Sequence, residues 1–319
     1  MPKVSIIIPV YKAEQYIDRC VRALFGQNLR DLEYIFVDDC SPDRSIDVME
    51  QVLREYPDRQ QQVKIIRHRR NMGVGQSRQD GIDEATGEYI IHCDPDDWVE
   101  PEMYYLMYDA ACRTNADIVV CDYFENTSDS EKNVCHGQED NSLSIFNEIV
   151  HHKLHTSLCN KLVRRDYAIR YRIPAGVNLW EDMSVITPLL LTAKKIHWLH
   201  RPLYHYRIDN SQSILHKSTT TNVKSQIKAV QSIVCFLSAN TSLSIDNRDV
   251  IYLKWSAKRN LLSDITPEKL MLWNDTFPEI HSKLGDIQLS FKFRIISYLA
   301  IHKQFRIIKI LNRINNLLS

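Results

Sequence analysis

Over the first 121 residues, short apolar runs alternate with longer segments in which apolar positions return every three or four residues. The runs at 4–8, 33–37, 63–67, 88–93 and 117–121 are rich in valine, isoleucine and aromatic side chains and read as buried strands. The segments at 14–25, 44–56, 75–85 and 102–114 read as amphipathic helices. Regular alternation of the two predicts an α/β region: a mostly parallel, doubly wound sheet with helices on both faces.

Beyond residue 121 the pattern changes. Residues 125–144 are polar with little periodicity and read as a surface excursion. Residues 144–167 and 183–195 look helical, and from 221 onward helical periodicity dominates, through 223–239, 248–262 and a final long segment. The chain is thus expected to divide into an α/β half at 1–121, a second half of the same domain at 122–220, and a helical C-terminal region at 221–319.

Composition narrows the function. The 40 basic residues are matched by 40 acidic ones, which removes a global positive field and with it nucleic acid as a partner. Eight cysteines are scattered without a CxxC pair or zinc-type spacing, as suits a reducing cytoplasm. The short run at 4–10, interrupted by Pro9, lacks the layout of a signal peptide. No stretch approaches the roughly eighteen apolar residues of a membrane-spanning helix.

The densest chemistry follows the fourth predicted strand, where Asp94-Pro95-Asp96-Asp97-Trp98 sets three carboxylates within four residues. Left unpaired they repel one another, and ligands of open α/β sheets bind beyond the carboxyl ends of the strands. Hard oxygen donors at that place suit Mg²⁺ or Mn²⁺ carrying a phosphate. A cap for the helix that starts near Pro101-Glu102 explains one of the three, not all. Asp38-Asp39 closes the second strand in the same way, in competition with an Asx turn leading into the next helix. Asn71-Met72-Gly73-Val74-Gly75 matches part of a dinucleotide fingerprint, with Arg78 where the third glycine belongs. What remains is backbone open to close approach of a phosphate and a guanidinium to meet it. Glu181-Asp182 precedes an apolar helix, where one carboxylate is expected as a cap. Pro202 to Arg207, with Ser211 and Ser213, is dense in hydrogen-bonding groups, a pattern met more often in packing than in chemistry.

Taken jointly, these residues resemble a known family. Val4-Ser5-Ile6-Ile7-Ile8-Pro9-Val10-Tyr11, Val37-Asp38-Asp39-Cys40-Ser41, Asn71-Met72-Gly73 with Arg78, Gly87-Glu88-Tyr89-Ile90, the Asp94–Trp98 motif and Glu181-Asp182 are similar in order and spacing to a family 2 glycosyltransferase of GT-A fold, over about residues 3–215. Asn160-Lys161-Leu162 and Tyr204 to Arg207 resemble the acceptor half of bacterial members that build cell-surface polysaccharide or lipopolysaccharide. The resemblance implies a GT-A, Rossmann-like fold with a helical C-terminal extension. It implies inverting, metal-dependent transfer of a hexosyl or N-acetylhexosaminyl group from a nucleotide-diphosphate sugar, UDP-sugar favoured, to a hydroxyl of a saccharide or lipid-linked saccharide. Tyr11 would stack on the base and Asp39 accept a hydrogen bond from it, with Pro9, Asp38, Arg78, Asp94 and Asp96 also on the donor side. Asp96, with Asp97 or else Asp94, would hold Mn²⁺ or Mg²⁺, Asp182 would be the base, and Glu181 would position hydroxyls. Trp180, Tyr206 and Arg207 would face the acceptor. Lys12, Gln79 and Pro95 depart from the family pattern without touching a residue assigned to chemistry, although Pro95 removes a backbone donor and stiffens the acidic loop.

Other classes make different demands. A nucleotidyltransferase uses similar metal carboxylates and is the nearest chemical alternative. A catalytically silent nucleotide-binding module would have lost the acidic motif or the Glu-Asp pair. A dinucleotide oxidoreductase needs the full glycine fingerprint after the first strand, where Pro9-Val10-Tyr11-Lys12 stands.

The tail carries a separate signal. Residues 287–319 contain no acidic side chain but hold Lys292, Arg294, Lys303, Arg306, Lys309 and Arg313. On a helical wheel Arg306, Lys309 and Arg313 share a face with Asn312 and Asn316, while Ile307, Ile308, Leu311, Ile314 and Leu318 fill the other. That pattern fits an amphipathic helix at an anionic membrane, here the inner face of the cell membrane. It fits equally a helix packed on the domain with its basic side in solvent.

Overall fold

The computed structural model describes residues 1–135, 142–210 and 219–318, with side chains at 1–135, 143–210 and 219–313. Ser211 and Ser213, and the side chains of Ile314, Asn316 and Leu318, lie outside the described residues. In chain order the elements begin β1 (Val4–Val10), α1 (Ile17–Phe25), β2 (Leu32–Asp38), α2 (Ser45–Leu53), β3 (Val63–Arg67), α3 (Val74–Glu84) and β4 (Tyr89–His92). They continue with β5 (Trp98–Val99), α4 (Met103–Thr114), β6 (Ile118–Asn126), β7 (Glu131–Val134), α5 (Ser142–Val150), β8 (Lys161–Arg164) and α6 (Arg165–Ala168). The last are α7 (Glu181–Thr192), β9 (Ile196–Arg207), α8 (Thr220–Ala239), α9 (Asn247–Lys258), α10 (Pro267–Asp275), α11 (Phe291–Ile301) and α12 (Phe305–Leu318).

The strands join one sheet in the order β3-β2-β1-β4-β8-β6-β9-β5, with β7 added to β6. The first four pair in parallel, as the alternating pattern predicts. From β8 onward the sheet is mixed: β8 runs antiparallel to both β4 and β6, and β9 runs parallel to β6. Successive side chains of β1 point to opposite faces. Ile6 and Ile8 join Leu24 of α1 and Met107 of α4 in one core, while Ile7 joins Ile82 of α3 and Ile90 of β4 in the other. This second core continues without a break through α5, α7, α8 and α9 to Ile308 of α12.

Several readings of the sequence change. The helix expected over 144–167 stops at Val150, because His152 takes a left-handed conformation (φ 57°) and ends the helical register. The apolar residues that continued the period, Leu162 and Val163, instead form the two buried faces of β8. The polar-looking segment at 196–207 is β9, whose register shifts against β6 opposite Pro202, the position at which a ladder donor is missing. The final long segment breaks into three helices at Phe277 (φ 47°), just before Pro278, and at Lys303 (φ 55°). The expected boundary at 121/122 falls inside β6, so the two halves share one sheet.

Candidate active site

Parallel pairing of β1 with β2 and β4 brings their C-terminal ends to one edge of the sheet. Tyr11, Asp38-Asp39 and the Asp94–Asp97 loop leave the sheet there, at the place where open α/β sheets bind ligands. Pro9 lies within β1, paired with Val37 and buried, so it shapes the strand end rather than offering a free group. Glu181 and Asp182 arrive from the other half, at the head of α7, where Trp180 in a left-handed conformation (φ 64°) turns the chain into the helix.

Arg78 of α3 links the two acidic groups. Its guanidinium is buried; Nη2 donates to Asp94 Oδ1 at 2.8 Å, and Nε stands 3.4 Å from Glu181 Oε1. Burial opposes the charge, but Asp94, then Glu181 and Asp182, hold its pKa well above the ordinary value. Nη1 is buried with no hydrogen-bond partner among the described residues. Carboxylates 87 residues apart thus share one cation.

Within the acidic loop the three aspartates separate by role. Asp97 is buried with both oxygens engaged: Tyr204 Oη donates to Oδ2 at 2.5 Å and the Arg207 amide to Oδ1 at 2.8 Å. Burial, then repulsion from Asp96 and Asp94, pushes its pKa well up. It anchors the loop to β9, each of its oxygens already accepting one hydrogen bond. Asp96 is partly exposed and accepts from Asn210 Nδ2 at 2.7 Å. Burial and the neighbouring Asp94 raise its pKa, the mark of negative charge that wants a cation. Asp94 Oδ1 is held by Arg78, and its Oδ2 accepts no hydrogen bond among the described residues.

At the end of β1, the Tyr11 ring is 43% exposed, and Lys12 is in left-handed geometry with its amide on Ser41 Oγ. Asp38 is drawn into a turn, accepting from the Ser41 amide at 2.9 Å. Asp39 Oδ1 accepts from the Met72 amide and meets His68 Nδ1 at 2.8 Å, while Oδ2 accepts from the Gly73 amide at 2.8 Å. Sequence reasoning missed His68, which sits between Asp39 and Asp80 Oδ2. Burial opposes its charge, but the two carboxylates raise its pKa on balance. Inside a basic run it carries the pattern of a solvent-exposed residue, so no local signal marks it. The glycines of the 71–75 turn do permit close approach, but to the protein itself: a Cβ on Gly73 (φ 90°) would strike the Asn178 side chain, and one on Gly75 the Val177 carbonyl. The expected phosphate cradle is therefore a packing contact that joins the head of α3 to segment 173–178.

Glu181 and Asp182 are mutually crowded. Burial, then Asp182, pushes Glu181 up to about 7, against the pull of Arg78. Burial likewise raises Asp182, whose Oδ1 accepts from the Met183 amide at 2.6 Å. Behind them Lys161, of the Asn160-Lys161-Leu162 motif, is buried and donates from Nζ to the carbonyls of His155 and Ser157 and to Asn160 Oδ1. Burial lowers its pKa to about 8, while Asp182 favours its charge. Trp180 is half-buried near His152 (ring centroids 6.2 Å apart), and Tyr206 is near His155 (5.6 Å), so loop 151–160 borders both expected acceptor residues. Arg207 turns toward Tyr16, 5.1 Å from its ring, and Asp209, 3.6 Å away.

Residues 5–172 match the model of glycosyl transferase family 2. The chain is 28% identical over 330 residues to the putative glycosyltransferase EpsH of Bacillus subtilis, with 94% of each chain covered. It is 25% identical over 223 residues to the minor teichoic acid biosynthesis protein GgaB of B. subtilis, covering 68% of this chain and 24% of that protein. Among solved structures it is similar in fold to S. aureus TarS 1-349 in complex with UDP-GlcNAc, with a TM-score of 0.71, 16% identity, and 98% of this chain and 92% of that one covered.

Proposed function

Because the chain belongs to glycosyl transferase family 2 and has the GT-A fold, we propose that it is an inverting glycosyltransferase. It would move a hexosyl or N-acetylhexosaminyl group from a nucleotide-diphosphate sugar to a hydroxyl of a saccharide acceptor. The observation that carries this reading is Arg78, which draws Asp94 of the acidic loop and Glu181 at the head of α7 into one crevice at the sheet edge.

Residues 1–121 form the donor half in this reading. The Tyr11 ring offers a face for the base, and Asp39 Oδ2, holding only the Gly73 amide among the described residues, offers an acceptor. The fold-level likeness to a protein that binds UDP-GlcNAc supports a UDP-sugar. Asp94 and Asp96, crowded and partly open, suit Mg²⁺ or Mn²⁺. No three His, Cys, Asp or Glu side chains among the described residues are set to hold an ion by themselves, so donor phosphate oxygens would complete its shell. When bound, such an ion neutralises the charge that develops on the departing nucleoside diphosphate. Asp97 fixes the loop from behind.

Residues 122–220 form the acceptor half. Asp182 takes the proton of the attacking hydroxyl, and its raised pKa makes it a better base near neutral pH than an ordinary aspartate. Glu181 holds donor or acceptor hydroxyls, with Trp180, Tyr206 and Arg207 toward the acceptor. One base and direct displacement invert the anomeric centre. The likeness to GgaB supports cell-surface polysaccharide biosynthesis, carried out in the cytoplasm at the inner face of the membrane where lipid-linked acceptors are presented.

Asp182→Asn is expected to lower transfer by about 10²–10⁴-fold while nucleotide-sugar affinity, read by calorimetry, stays within a few-fold. Wild-type turnover in that variant overturns the assignment. Release of pyrophosphate rather than nucleoside diphosphate would point to nucleotidyl transfer instead.

A further inference from the structure

We propose that α11 and α12 together form a docking face for an anionic lipid surface. The proposal stands on surface chemistry alone and not on the transfer reading. On α11, Ile296, Ser297 and Ala300 face the core, and the opposite side carries Phe291, Ile295 and Tyr298 at 79%, 36% and 62% exposure. Their spacing of four and then three residues makes them one stripe along the helix, and the ring of His302, 4.4 Å from that of Tyr298, extends it. On α12, Ile308 is buried and Leu311 half-buried, while Ile307 and Ile310 stay 46% and 57% exposed beside Arg306, Lys309 and Arg313.

This revises the picture drawn from the helical wheel. Ile308 and Leu311 are absorbed by the body of the protein. The apolar groups left outside are Ile307, Ile310 and a stripe on α11 that the wheel did not assign. Phe291 and Tyr298 are side chains that favour the boundary between headgroups and acyl chains.

Charge selects the occupant. All 40 acidic residues of the chain lie within 1–286, together with only 34 of the 40 basic ones, so the body is net negative and the two-helix tail is purely cationic. None of the six tail cations forms an ion pair among the described residues. A second copy docked symmetrically on this face would set basic side chains against basic side chains, whereas an anionic bilayer complements them and repels the body, orienting the protein. Among the described residues no helix is long and apolar enough to cross a membrane, and the proposed contact is an interfacial one.

The test is flotation of the full chain with vesicles of phosphatidylglycerol and phosphatidylcholine, against vesicles of phosphatidylcholine alone. Binding is expected only to the former and is expected to weaken with salt. Two variants, F291S/Y298S and R306E/K309E/R313E, are each expected to cut it about tenfold or more with circular dichroism unchanged. No binding to the anionic vesicles, equal binding to both kinds, or unimpaired binding by both variants overturns the proposal. So does a dimer in sedimentation equilibrium that these same substitutions dissolve.

Discussion

At the scale of single residues, Glu181 and Asp182 matter most, because two adjacent carboxylates, one buried and one half-buried, cannot both ionise as free ones do. Glu181 is pushed up to about 7 and Asp182 is raised with it, so the pair releases its last proton well above the ordinary carboxylate range. The base must be unprotonated to act, and a raised pKa therefore moves the loss of activity to higher pH. The acid limb of kcat/KM against pH is expected to lie above the ordinary carboxylate range; a limb near 4 contradicts the assignment. The pair itself was visible in the sequence, and so was the acidic motif. What separates Asp97 from Asp94 and Asp96 was not, since its partners Tyr204 and Arg207 lie 107 and 110 positions away. Three neighbouring aspartates look alike until a distant strand selects one.

At the scale of elements, β9 does more than complete the sheet. Tyr204 holds Asp97 with its hydroxyl and accepts from the Asp94 amide, so one side chain of β9 grips the acidic loop at two points. Tyr204→Phe strips a donor from a buried carboxylate and is expected to cost about 1–3 kcal/mol, measured by urea denaturation. It should also weaken donor binding, because the loop loses its anchor; unchanged stability would show the contact to be slack. The strands of the first half were legible because β1, β2 and β4 are short apolar runs bounded by turn residues. β8 and β9 were not: β8 has four residues after a helix whose spacing its apolar side chains continue, and β9 interleaves polar tips such as Tyr204 and His205 that pair across the sheet. Helical period and strand content compete in such segments, and only tertiary pairing decides between them.

At the scale of the whole molecule, the C-terminal helices are not an appendage. One hydrophobic core runs from Ile7 and Ile35 under the sheet through Val185 and Leu189 of α7 to Trp255, Trp273 and Ile308. The full chain is therefore expected to unfold in a single cooperative transition seen alike by tryptophan fluorescence and circular dichroism. Two separated transitions would mean that the helical region folds on its own. The sequence showed a helical region after 221, and α8 and α9 lie where its periodicity placed them. It did not show that this region closes the same core as the sheet, because periodicity marks an apolar face without naming its partner.

That shared core bears on how such enzymes diversify. α7 opens with Glu181 and Asp182 and packs against α8. Ser225 of α8 accepts from the Asn178 and Leu179 amides just ahead of them, so the carboxylates proposed for catalysis are aimed in part by the C-terminal helices. Exchanging the C-terminal module for another would alter catalytic alignment along with any change in partner. A chimera keeps its chemistry only when the graft reproduces the apolar surface that α8 presents to α7, which makes that seam the unit to conserve in redesign.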